Sequence, residues 1–218
     1  MGLPMLACAV ETAQPSVVYV VDDDSSVRDG VGRLLRSVGL QTEVFDDTDA
    51  FLAFHRPQVP SCLILDIRLR NKNGLAFQQD MARLGVQMPV VIATGFGDVE
   101  MSVKAMKAGA SDFIEKPFRE QDLLDAVNSA LARDTERIVR DRAMEDTRSS
   151  YHTLTPRERE VLNLILRGLM SKQIAAEIGV TAITVKLHRA QIMKKMGVRS
   201  VASLALKAAA LGIEPSPV

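Results

Sequence analysis

The 218-residue chain has no tryptophan, and aromatic residues make up only 4% of it. It has two cysteines, too few for the cross-links of a small secreted scaffold. One of them, Cys62, lies in the apolar run Cys62-Leu63-Ile64-Leu65, where a small buried thiol is the ordinary state. The expectation is a reducing compartment and no structural disulfide. No apolar run approaches the roughly 20 residues that cross a bilayer. The start, Met1 to Val10, is apolar but lacks the basic region and the length of a signal peptide, and Gly2 without Ser or Thr at position six does not read as a myristoylation signal. Residues 1–15 are read as a disordered tail and the chain as cytoplasmic, with no membrane partner. Internal repeats and low-complexity tracts are also missing.

What is present is the composition of a soluble globular protein, 47% hydrophobic and 25% charged, with a length that suits two domains better than one. Lys+Arg and Asp+Glu balance at 27 each, but unevenly along the chain. Residues 16–131 carry 12 basic against 17 acidic side chains, residues 132–152 carry 5 against 5, and residues 153–218 carry 10 against 4. A basic small domain beside an acidic one points to a polyanion as the partner of the C-terminal part; a merely solvated basic surface is the plain alternative.

From residue 17 short β-branched runs alternate with segments of helical period, the pattern of βαβ units and a parallel sheet. The strands fall at Val17–Val21, Gln41–Phe45, Cys62–Asp66, Pro89–Ala93 and Ser111–Glu115. Helices fall near Ser25–Val38, Thr48–Arg56, Gly74–Leu84 and Asp98–Ala108, and a fifth opens near Glu120. This is an α/β (βα)5 doubly wound unit. From Gln121 to about Met144 there is no Gly or Pro, so the fifth helix is expected to continue outward as a linker until Ser149-Ser150 breaks the pattern. Beyond it everything reads as an all-α four-helix domain. Thr155-Pro156-Arg157-Glu158 has the form of a helix start, helices follow at Arg157–Arg167, Lys172–Ile178, Ile183–Met196 and Val201–Ala210, and Gly168, Gly179, Gly197 and Gly212 stand where C-caps belong. The tail from Glu214 to Val218 is expected to be loose.

In an open parallel sheet, functional groups gather beyond the carboxyl ends of the strands. Strand one ends in Asp22-Asp23-Asp24, strand three in Asp66, strand four in Thr94, and Lys116-Pro117 follows strand five. Carboxylates from neighbouring strands repel unless they share a cation, and a hard cation with oxygen ligands, Mg2+, is the natural occupant. Asp66, ending a central strand, is the candidate nucleophile toward phosphorus, with Lys116 and Thr94 placed to meet phosphoryl oxygens. Taken singly, each has a plain explanation: Asp opens turns, Lys is solvated, Thr favours strands.

These motifs, with the run Lys104 to Phe118 and Gly74 after Asp66, closely resemble the receiver (CheY-like) domain over residues 16–131. The resemblance implies that Asp66 accepts a phosphoryl group from the phosphohistidine of a sensor histidine kinase. It also implies that Asp22, Asp23, Asp66 and the backbone carbonyl of Arg68 hold Mg2+, that Thr94 and Phe113 move inward on phosphorylation, and that the Lys116-Pro117 bond is cis. One departure is Arg70, where receivers usually carry Pro; a looser loop and a charge that steers a partner are both open readings. An aspartate-nucleophile phosphatase is the enzyme alternative, but it requires a second Asp two residues after the first, where Arg68 stands.

In the C-terminal part, Gly179-Val180-Thr181 reads as a tight turn with Thr181 capping the next helix. On a helical wheel Val185, Ile192 and Met196 face inward, and Ile183, Leu187, Ala190 and Lys194 lie nearly opposite, with Lys186 and Gln191 on the flanks. The motifs from Leu154 to Leu162, Ser171 to Ala175 and Thr184 to His188 resemble the LuxR/NarL-type helix-turn-helix over nearly all of 153–212. On this reading Lys186 reads a base edge, with Leu187 and Ala190 against thymine methyls and Thr184 beside them, while Lys172, Thr181, Lys194 and Arg189 meet phosphates. His188 reads as a structural, hydrogen-bonded histidine, and Glu158 and Glu160 as helix-dipole residues. Val201, Leu204 and Leu206 suggest a last helix that packs partly inward.

Together the two resemblances place the chain with the FixJ/NarL-type two-component response regulators, transcription regulators rather than enzymes. The domains are a tail 1–15, a receiver 16–131, a linker helix 132–152 and a DNA-binding domain 153–218. The implied partners are promoter DNA, the kinase, a second copy on phosphorylation and, as a candidate, RNA polymerase. Phosphorylation-driven pairing of receivers and release of the basic domain from the receiver are both open as the switch. A C-terminal protein-binding module, or a DNA binder indifferent to phosphate, is the alternative of another class.

Overall fold

The computed structural model describes residues 15–70, 72–95 and 99–213. The expected tail, Cys8, Asn71 and the segment from Glu214 onward lie outside them. The chain divides into two compact units, residues 1–138 and 139–218.

The first unit is built on strands β1 (Val17–Val21), β2 (Gln41–Phe45), β3 (Ser61–Leu65), β6 (Val90–Thr94) and β7 (Asp112–Glu115), all parallel, in the order β2-β1-β3-β6-β7. Between β3 and β6 lies a small antiparallel hairpin, β4 (Arg68–Leu69) and β5 (Lys72–Asn73). Every residue of β1, β3 and β6 is buried, because side chains alternate between two covered faces. Val17, Tyr19, Val21, Leu63, Leu65 and Ile92 join one core, and Val18, Val20, Cys62, Ile64, Val91 and Ala93 join the other. The helices are α1 (Ser25–Ser37), α2 (Thr48–Ala53), α3 (Gly74–Asp80), α4 (Val99–Lys107) and α5 (Glu120–His152). On α5, Leu123, Ala126, Val127, Ala130 and Leu131 are buried at i, i+3, i+4 spacing.

Several boundaries differ from the sequence-based expectation. Strands β3 and β6 are offset by one residue, and β7 begins at Asp112. Helix α2 stops at Ala53, since Phe54 is extended (ψ 136°) and Pro57 follows. Helix α3 stops at Asp80, ahead of Gly85 at φ 73°. The expected break at Ser149-Ser150 does not occur, and α5 runs through it to His152. Two serines cost a helix little, and Tyr151 gains packing against the core of the second unit.

The second unit holds α6 (Pro156–Leu166), α7 (Ser171–Ile178), α8 (Ala182–Lys195) and α9 (Val201–Ala210) around Leu154, Val161, Leu162, Ile174, Val185, Ile192 and Leu204. Thr155 opens α6 with a reciprocal capping box: its hydroxyl accepts from the Glu158 N–H, and the Glu158 carboxylate accepts from the Thr155 N–H. Gly179 (φ 68°) supplies the left-handed turn between α7 and α8, which Thr181 caps. Of the expected inward residues on α9, Leu204 is fully buried, but Val201 and Leu206 are exposed. Among the described residues no helix is long and apolar enough to cross a membrane.

Candidate functional site

The parallel order brings the ends of β1, β3, β6 and β7 to one edge of the sheet. The Asp66 N–H donates to the Val21 carbonyl (3.0 Å) and the Asp22 N–H to the Phe45 carbonyl (3.1 Å), so both acids are fixed by their backbones. Asp22, Asp23 and Asp66 each offer a carboxylate oxygen, and these oxygens lie within 4.8 Å of one another. The Arg68 N–H donates to Asp66 Oδ1 (3.1 Å). Lys116 Nζ reaches Asp22 Oδ2 at 2.5 Å and Asp66 Oδ2 at 2.9 Å. Its backbone N–H donates to the Thr94 carbonyl (2.8 Å), and the Lys116–Pro117 peptide is cis.

Burial pushes the Asp22 carboxyl above its ordinary value, against the pull of the Lys116 ammonium. Burial also opposes the charge on Lys116, but its bonds to Asp22 and Asp66 outweigh that and hold the ammonium above its usual range. An all-carboxylate oxygen set from two adjacent strands fits a hard divalent cation that keeps some of its waters. The residues present therefore suit Mg2+. Thr94 is fully buried at the end of β6, and Phe113 is half-buried against the core.

Two supports escaped the sequence reading. Arg28 Nη1 donates to the Asp22 carbonyl (2.7 Å), and Arg70 Nε stands 3.4 Å from Asp23 Oδ2. Nothing in the spacing of Arg28 marks it. Arg70 stood out as unusual, but its partner lies far away in the sequence.

In the second unit, α8 divides its faces sharply. Val185, Ile192 and Met196 are fully buried, whereas Ile183 is 80% and Leu187 61% exposed. Lys186, Ala190, Gln191 and Lys194 share this solvent-facing side, and Lys172 and Thr181 are exposed nearby in the chain. Two of the candidate contacts are less free. Thr184 is half-buried and shares a hydroxyl contact with Thr181 (2.9 Å), and Arg189 is half-buried, lining a cleft with Ile165, Leu169 and Val201.

Two readings need correction. Among the described residues the His188 side chain makes no hydrogen bond and is half-buried on the flank of α8, so the expected bonded histidine is not found there. Glu158 is not explained by the helix dipole alone. It is buried, and it pairs with Lys195 of α8 at 2.7 Å.

Two family models match the chain. The response regulator receiver domain covers residues 18–128, and the bacterial regulatory proteins of the luxR family cover residues 152–208. Nodulation protein W of Bradyrhizobium diazoefficiens is 46% identical over 203 residues, spanning 93% of this chain and 89% of the relative. The transcriptional regulatory protein FixJ of Rhizobium meliloti is 36% identical over 203 residues, spanning 91% and 98%. The solved structure of the response regulator StyR superposes with a TM-score of 0.80 at 44% identity, covering 90% of this chain and 99% of that one.

Proposed function

As the chain belongs to the two-component response regulators that join a receiver domain to a LuxR-type DNA-binding domain, we propose that Asp66 accepts a phosphoryl group from a sensor histidine kinase and that this raises affinity for promoter DNA. The observation that carries the proposal is the convergence of Asp22, Asp23, Asp66 and Lys116 at one sheet edge. Asp66 Oδ attacks the phosphorus of the phosphohistidine, the P–N bond breaks, and the imidazole leaves with the bonding pair. Lys116 turns from the carboxylates to the incoming phosphoryl oxygens. Asp22, Asp23, Asp66 and the Arg68 carbonyl would hold Mg2+, which would supply positive charge against the phosphoryl group. A phosphatase reading lacks its acid, because Arg68 stands two residues past Asp66.

Phosphorylation then shifts the population toward a state with Thr94 and Phe113 turned inward, which alters the face formed by α4, β7 and α5. Val99, Val103 and Met106 already expose apolar surface on α4, and this supports pairing with a second copy. Pairing brings two basic units to paired half-sites at raised effective concentration. In that complex Lys186 reads a base edge, Leu187 and Ala190 meet thymine methyls, and Lys172, Thr181 and Lys194 hold phosphates. We place this activity in the cytoplasm, where the kinase and the DNA meet it. The test is a promoter-DNA titration with and without acetyl phosphate and Mg2+. Wild type binds more tightly when both are present, and Asp66→Asn does not respond; equal binding under all conditions contradicts the proposal.

A further inference from the structure

We infer that Arg70 is a built-in counter-cation of the acidic pocket, holding Asp23 until a divalent cation displaces it and thereby setting how much free cation loads the site. This rests on the reading of the pocket as a Mg2+ site. Lys116 commits its ammonium to Asp22 and Asp66, at 2.5 and 2.9 Å. Asp23 is the third carboxylate and the most exposed of the trio, at 25% of its side chain against 5% and 11%. Arg70 Nε meets it at 3.4 Å. Each of the three acids thus faces a side-chain cation of the chain itself.

The geometry gives Arg70 somewhere to go. Its side chain is 79% exposed, and it lines both the pocket over Asp66 and an adjoining cavity walled by Asp46, Asp47 and Asp49. Of those acids Asp49 is already paired with Lys72 and Asp47 caps α2, so Asp46 is the carboxylate in that cavity to which Arg70 turns on leaving Asp23. An exposed pair of this kind is weak, so Arg70 cannot exclude a doubly charged ion. It makes the ion displace a resident charge and then bind beside it, a graded penalty that salt screens.

The test is calorimetric titration of Mg2+ into the full-length protein. At low salt Arg70→Ala and Arg70→Gln bind Mg2+ about three- to tenfold more tightly than wild type, and the gap closes near about 0.5 M salt. Arg70→Lys, which keeps the charge, stays within about twofold of wild type. Unchanged affinity in Arg70→Ala, with saturable binding in wild type, overturns this inference alone. The same holds if Arg70→Lys shifts as far as Arg70→Ala, which assigns the effect to loop packing instead of charge. Absence of saturable Mg2+ binding in wild type overturns the metal site itself, and this inference with it.

Discussion

Gly74 lies so close to the backbone carbonyl of Asp66 that a Cβ on it would meet that oxygen at 2.1 Å. The Gly74 N–H donates to the Ile67 carbonyl (2.8 Å), so the start of α3 is clamped against the turn that follows Asp66. Gly74→Ala must shift that turn, costing about 1–3 kcal/mol of receiver stability and slowing phosphoryl incorporation. Gly30→Ala is the matched control, since nothing lies within 4 Å of its added Cβ on α1. It is neutral or stabilising by up to about 1 kcal/mol. Urea unfolding of the two variants checks the contrast.

Asp134, fully buried on α5, accepts the Ser61 N–H at 2.9 Å at the opposite end of the strand that leads to Asp66, and Arg137 Nε at 2.8 Å. Asp134→Ala leaves the buried Ser61 N–H without its acceptor and lowers stability by about 1–3 kcal/mol, whereas Asp134→Asn keeps an acceptor and costs less. Hydrogen exchange at the Ser61 amide should accelerate only in the alanine variant.

The Glu158–Lys195 pair makes the second unit acid-sensitive. Burial opposes the Glu158 charge, but Lys195 and the Thr155 N–H and hydroxyl outweigh it and hold the carboxyl below its ordinary value. A depressed folded-state value means the contribution is complete above the unfolded value of about 4.3 and is lost as pH falls through the folded value. Glu158→Gln should therefore destabilise the protein by about 1 kcal/mol at pH 7, and its difference from wild type should shrink below about pH 4. Thermal melts across this range measure it.

On α8, Lys186→Ala is expected to relax base preference at one position, at a cost of about 1–3 kcal/mol on the preferred sequence. Lys194→Ala should instead weaken all sequences alike and reduce the salt slope by about one. Competition binding against substituted sites at two salt concentrations separates the two roles.

The fold was legible because its signals are periodic. The runs Cys62-Leu63-Ile64-Leu65 and Val90-Val91-Ile92-Ala93 announce strands covered on both faces, and Val185, Ile192 and Met196 announce a buried stripe. The acidic pocket was legible because its members sit at strand ends, where topology alone brings them together. What escaped depends on contacts that sequence spacing does not carry. The β4–β5 hairpin has strands of two residues, too short for a period. Asp134 sat in the stretch read as a linker helix, and its partner Ser61 is 73 residues away. Glu158 looked like an ordinary first-turn acid, because nothing local reveals that Lys195 lies across from it.

The most direct measurement is the intact mass of the purified protein after incubation with acetyl phosphate and Mg2+. The account predicts the gain of a single phosphoryl group, localised to Asp66, absent in Asp66→Asn and suppressed when the divalent ion is chelated. No gain in wild type, or an equal gain in Asp66→Asn, would contradict it.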